Sequence, residues 1–272
     1  MNFSNLTTKM KATPGVFRRT TLAFTLIEML IVIAIIGILA GIGLPHLKGW
    51  GDANSMTAAT RQLMDDLAFA RLKAISSRSP VYVVFVSSDV VEPAFYNPLS
   101  PDEKARARAL WSGQFTSYAL FTPRNVGDQP GHPTARYLTP WKSLPDKIFI
   151  PTRKFDRVAN RFAIPETNRP FSYQTVPFPS ATNVSVSITL PCIQFNSRGQ
   201  LVSEQNPLGQ LEGATIPLAR GSIFYARDAD GAPVLGAADV IETPAQNSVN
   251  DKNWIRIDWL TGRARVERLQ IQ

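Results

Sequence analysis

Apolar and polar positions along the chain fall into three successive patterns. Residues 29–44 are apolar or glycine without exception. Extended back to Phe24, this run is long enough for a helix that crosses a bilayer, which needs about 20 residues. Only Thr25 and Glu28 interrupt it. Thr25 is inexpensive there, because its hydroxyl can bond a carbonyl one turn back. Glu28 is not: a carboxylate in hydrocarbon costs several kcal/mol unless paired or protonated. It either lies near the helix end and reaches interfacial water, or it awaits a cation. Pro45 closes the run and either kinks or briefly breaks the helix.

Past Gly49 and Gly51 the period changes. Met56, Ala59, Leu63, Leu67, Ala70 and Ala74 recur at spacings of three and four, the mark of one apolar stripe on a helix. Arg61, Asp65, Asp66, Arg71 and Lys73 fall on the other faces. The stripe predicts that residues 46–80 continue the first helix and pack it on a globular domain. Gly37, Gly41 and Gly43 leave one flank of the earlier segment slim, either for close helix contact or as residues a span tolerates.

From residue 81 the chain reads as β structure. Residues 81–86 form an unbroken apolar run, and residues 117–121, 147–150, 184–190, 200–202 and 222–226 also read as strands. Residues 254–259 and 263–266 flank a Gly-bearing turn at Gly262 and read as a hairpin. Residues 102–110 read as a short helix, with Ser100 as its cap and Pro101 at its first position. Residues 87–180 are crowded with proline, and residues 151–180 read as a long insertion or exposed loop. The head therefore spans residues 81–272, with a Pro-rich insertion at about 87–180.

Composition then restricts the partners. The 272 residues carry a formal charge of +8. Residues 1–23 hold Lys9, Lys11, Arg18 and Arg19 and no acid, so half of that excess is a property of this segment. It places the N-terminus in the cytoplasm by the positive-inside rule. No Lys/Arg run interleaved with aromatics appears, which excludes a nucleic-acid reading. Cys192 is the sole cysteine, reads as a buried core thiol and rules out an intrachain disulfide. With His46 and His132 far apart, no zinc constellation assembles. Asp228 and Asp230 either begin a calcium loop or form an acidic turn. No nucleophile elbow or phosphate loop is present, no cofactor is implied, and catalysis has no candidate.

One stretch is more specific than hydropathy. Ala23, then Phe24-Thr25-Leu26-Ile27-Glu28, then the long apolar run to Pro45, resembles a type IV prepilin leader, also called a class III signal peptide. Counted from Phe24, Glu28 is the fifth residue and Pro45 the twenty-second, as in that family. Ala23 stands where the family usually has Gly, and it is small enough for processing. The resemblance implies a leader of residues 1–23 removed by a prepilin peptidase, with Phe24 becoming an N-methylated terminus. It also implies a transmembrane helix over residues 24–45, with Glu28 pairing in assembly with the Phe24 ammonium of a neighbouring subunit.

Residues 67–83, a helix rich in Ala and Arg running through a short polar turn into a β-strand, are similar to the GspH/FimT minor pseudopilins. So are the Phe195-x-x-x-Gly199 segment and the Thr261-Gly262-Arg263 hairpin. A weaker similarity is to a verrucomicrobial cassette group of prepilin-like proteins. The likeness covers residues 18–86 well and 184–266 loosely, and the middle is unmatched. It implies an α+β, pilin-like fold: a long N-terminal helix, membrane-spanning then amphipathic, on an antiparallel β-sheet head. It further implies a single pass of the bacterial inner membrane with a periplasmic head. The partners would be inner-membrane lipid and other pilin or pseudopilin subunits, met through the N-terminal helix.

Overall fold

A computed structural model describes residues 25–124, 127–129, 132, 134–158, 160–178, 186–202 and 212–267, with residues 40–53 described by backbone alone. The chain divides into two units, Met1–Lys48 and Gly49–Gln272.

The first element, α1, runs from Leu26 to Ser77. In the first unit its described side chains, residues 26–39, are all exposed, among them Leu26, Ile33 and Leu39. Apart from Glu28 this stretch shows no polar face to turn to water, and a continuous exposed apolar surface of this kind is the mark of an interaction surface. Among the described residues, however, no helix is long and apolar enough to cross a membrane. The described side chains of the run stop at Leu39, short of the span of about 20 residues expected from the sequence. The helical backbone passes through position 45 without a gap. Of the two readings of Pro45, the chain does not leave the helix there. A proline forgoes one N–H bond, a loss that a helix with intact turns on both sides can absorb.

In the second unit the helix behaves as its period predicts. Ala59, Leu63, Leu67, Ala70 and Ala74 are fully buried, and Met56 packs against the same core. Each buried leucine contributes roughly 1.5–3 kcal/mol. The helix ends at Ser77, and Arg78 turns the chain with φ 49° into β1, Val81–Phe85.

β1 is the centre of a seven-stranded antiparallel sheet. On one side it pairs with β2, Ser117–Thr122. On the other it pairs with Ser187–Phe195, which in turn carries Ser172–Pro177. Val81, Val83 and Phe85 face the core that holds α1, while Tyr82 and Val84 face a second core with Trp111, Phe121, Val176 and Leu190. Burial on both faces explains why residues 81–86 show no alternation. Among the described residues, two smaller sheets complete the unit. One joins Asp239–Glu242, Ala219–Phe224 and Ile148–Phe149, and the other Ala264–Glu267, Trp254–Ile257 and Ala214–Pro217.

The short helix Pro101–Ala109 starts as expected, with Ser100 and Glu103 closing a capping box. The expectation for residues 151–180 needs correction. They supply the sheet strand Ser172–Pro177 and bury Lys154, Phe155, Phe171, Val176 and Phe178. Proline and polar residues made this segment look exposed; the aromatics between them anchor it. The strand expected at 184–190 and the apolar residues after it form one strand, Ser187–Phe195, with Pro191 inside it. Cys192, on this strand, is buried.

Two glycine turns meet on α1. Gly199 has φ 76° and Gly262 φ 61°, in the left-handed region. A Cβ on Gly262 would stand 2.0 Å from the Gly199 carbonyl oxygen, and one on Gly199 would stand 2.6 Å from Ile75 Cδ1. Arg71 Nε donates to the Thr261 carbonyl at 2.5 Å beside them. Asp258 Oδ1 accepts from the Thr261 N–H and hydroxyl, both at 2.7 Å, which holds the Asp258 carboxyl below the usual range. Gly262→Ala is expected to destabilise the chain by about 3 kcal/mol, from left-handed strain plus a backbone clash. Urea unfolding of the detergent-extracted protein checks it; a change under about 0.5 kcal/mol would mean that the turn relaxes freely.

Candidate functional site

The first turn of α1 holds the polar residues singled out by the apolar run. Thr25 is not yet helical, and its carbonyl accepts from Met29 N at 3.2 Å, so it is the N-cap. The Glu28 N–H donates to Thr25 Oγ1 at 3.2 Å. The Thr25 N–H and hydroxyl both donate to Glu28 Oε2 at 3.1 Å. These bonds make a capping box, in which the two residues satisfy each other's orphan donors. A carboxylate at this end also complements the helix dipole.

Glu28 thus has a local role besides the two foreseen. Sequence reasoning missed Thr25 as the cap, although Thr-x-x-Glu ahead of an apolar run is the pattern that signals one. Only Oε2 caps, and Glu28 is exposed, so the carboxylate can accept a further donor from outside the chain. Ala23 and Phe24, the expected cut site and terminus, lie outside the described residues. Pro45 is helical in backbone, with its side chain outside them as well.

A second polar cluster joins the helix to the head within the second unit. Asp66 is buried, though its position in sequence placed it with the solvated faces. Its carboxylate accepts from the Tyr118 hydroxyl at 2.6 Å and from Lys142 Nζ at 2.6 Å. Gln62 Nε2 donates to the Tyr118 oxygen at 3.1 Å and to the Ser143 carbonyl at 3.0 Å. Burial, with the bond to Asp66, pushes the Tyr118 hydroxyl well above its ordinary pKa, so it stays a donor. The cluster ties α1 to β2 and to Lys142–Ser143. Its groups are occupied by one another, which makes it a latch rather than a reacting site.

The residues weighed for metal binding do not converge. Asp228 Oδ1 accepts from the Asp230 and Ala232 N–H groups at 3.1 and 2.8 Å, which is the geometry of an acidic turn. Among the described residues no group of three or more His, Cys, Asp or Glu is placed to hold a metal ion. His132 is exposed, and the side chain of His46 lies outside the described residues.

A family model, the prokaryotic N-terminal methylation motif, matches residues 18–44. No curated protein and no solved structure matches the chain. The matched segment includes the capping box and carries a type IV prepilin-like signal. Around it the chain is α+β, with an N-terminal helix and antiparallel sheets, an architecture compatible with a pilin-like fold.

Proposed function

We propose that this chain is a structural type IV pilin-like subunit, most akin to the GspH/FimT minor pseudopilins. In this reading a prepilin peptidase removes residues 1–23 by cutting between Ala23 and Phe24, and Phe24 is N-methylated. The retained helix holds the subunit in the inner membrane as a single pass, with the head in the periplasm. The subunit then enters a pseudopilus or type IV pilus, for protein secretion or pilus biogenesis. Glu28 pairs there with the Phe24 ammonium of a neighbour, and lipid and other pilin-like subunits cover the apolar helix. The match of residues 18–44 to the methylation motif carries this reading. The all-round apolar exposure of residues 26–39 supports it, since such a surface needs a cover.

The test is the intact mass and N-terminal sequence of membrane-extracted protein, from cells with and without the prepilin peptidase. A start at N-methyl-Phe24 that depends on the peptidase is expected. An intact Met1 in both would leave a membrane-anchored exported domain that does not enter filaments.

A further inference from the structure

Lys154 is unusual in the head. Only 2 % of it is exposed, in a unit where other lysines reach solvent. It follows Pro151 in a short helical turn, Thr152–Phe155, whose Phe155 anchors in the core. Nζ donates to the Arg169 carbonyl and lies 5.2 Å from the centre of the Phe171 ring. It borders a cavity of about 30 Å³ that is also lined by Arg161, Glu166, Arg169, Phe171 and Ser172. A buried ammonium normally sits against a carboxylate. Here the carboxylates are engaged by other cations. Glu166 takes a two-pronged contact from Arg256, at 3.2 and 3.3 Å. Glu212 pairs with Arg169, and Glu242 lies 3.8 Å from Arg153.

The charged groups acting on Lys154 are Arg153, Arg161 and Arg169 against Glu166. Burial first, and then these three guanidiniums, lower the amine to about 7, with Glu166 opposing. Above neutral pH the side chain is therefore largely a free amine, a nucleophile in a small cavity with an excess of positive charge. An uncharged electrophile that becomes an anion on reaction would suit that cavity. Size selects it further. At about 10–15 Å³ for each water, its volume of about 30 Å³ holds two or three water-sized groups, which suits a molecule as small as carbon dioxide.

We infer that Lys154 is a carbamylation site, modified reversibly by carbon dioxide. The Nζ lone pair attacks the carbon of CO2, and one C=O π pair moves onto oxygen. The proton released from nitrogen passes to water. The product is a secondary carbamate whose N–H still donates to the Arg169 carbonyl. Its negative charge lies in the cavity that Arg161 and Arg169 line, where the free amine had carried none. This assignment does not depend on assembly into a filament.

The experiment equilibrates the detergent-extracted full chain with 13C-bicarbonate at pH 8, traps carbamates by O-alkylation with a trialkyloxonium salt, and maps the adduct by peptide mass spectrometry. The adduct is expected on the peptide bearing Lys154 and absent from Lys154→Met. Labelling should fall about tenfold for each pH unit below the pKa of the amine. Arg161→Gln, which keeps the amine and removes a neighbouring cation, should lower it several-fold. No adduct at Lys154 in the wild-type chain would overturn the inference, whether or not the variants fold. So would equal labelling of the partly exposed Lys142 and Lys104.

Discussion

Replacing Glu28 with Gln is expected to abolish incorporation into filaments while leaving membrane insertion and cleavage intact. The capping box makes this substitution more informative than Glu28→Ala. Gln at the third helical position can accept from the Thr25 N–H and hydroxyl much as Glu does, so the helix start survives. What is lost is the charge. If Glu28 pairs with a neighbouring ammonium in an apolar layer, the Gln variant leaves that ammonium buried without a counter-charge, at about 3–5 kcal/mol per contact. A penalty of that size repeated along a filament excludes the variant. Thr25→Val is the complement: it removes the hydroxyl of the cap at about 1 kcal/mol and keeps the carboxylate, so incorporation should be reduced little. Immunoblotting of sheared filaments against membrane fractions reads both. Normal incorporation of Glu28→Gln alongside a severe defect in Thr25→Val would show that Glu28 acts as a helix cap and not as half of an ion pair.

Asp66→Ala is expected to lower the stability of the head by about 3 kcal/mol. The Tyr118 hydroxyl is fully buried and loses its acceptor, a cost of roughly 1–3 kcal/mol. Lys142 is about a third exposed, so losing its ion pair adds at most about 1 kcal/mol. Asp66→Asn keeps an acceptor for Tyr118 and should recover about half of the loss. The pair Asp66→Ala and Tyr118→Phe should be clearly non-additive, because removing both ends leaves neither group orphaned. Equilibrium unfolding in urea measures both Asp66 variants, Tyr118→Phe alone and the double variant. Additive losses would mean that the two residues stabilise the head separately, and that the latch between α1 and β2 is not a unit.

Where a signal is local, sequence and structure agree. The buried stripe Ala59, Leu63, Leu67, Ala70 and Ala74 needs only the helical period. Ser100 and Glu103 are three residues apart, and their capping box follows from that spacing. The hairpin of Trp254–Ile257 with Ala264–Glu267 is written in its alternation and its glycine. Thr25 and Glu28 show the same spacing, and their bonds were equally legible. The methylation motif, too, is a property of consecutive residues.

Asp66 is different. It lies three residues after Leu63 and four before Ala70, at the margin of the apolar stripe, and its side is decided by Tyr118 and Lys142, more than 50 residues away. Lys154 reads as a surface residue beside Arg153, yet it is buried because Phe155 and Phe171 anchor the segment on either side of it. By itself, then, the sequence determined the helix, its apolar and amphipathic halves, most strands and the methylation motif, since each rests on a pattern within a few residues. The tertiary structure decided the fates of Asp66 and Lys154 and the strand hidden in residues 151–180. Burial of a polar group depends on partners that only chain folding brings within hydrogen-bond reach.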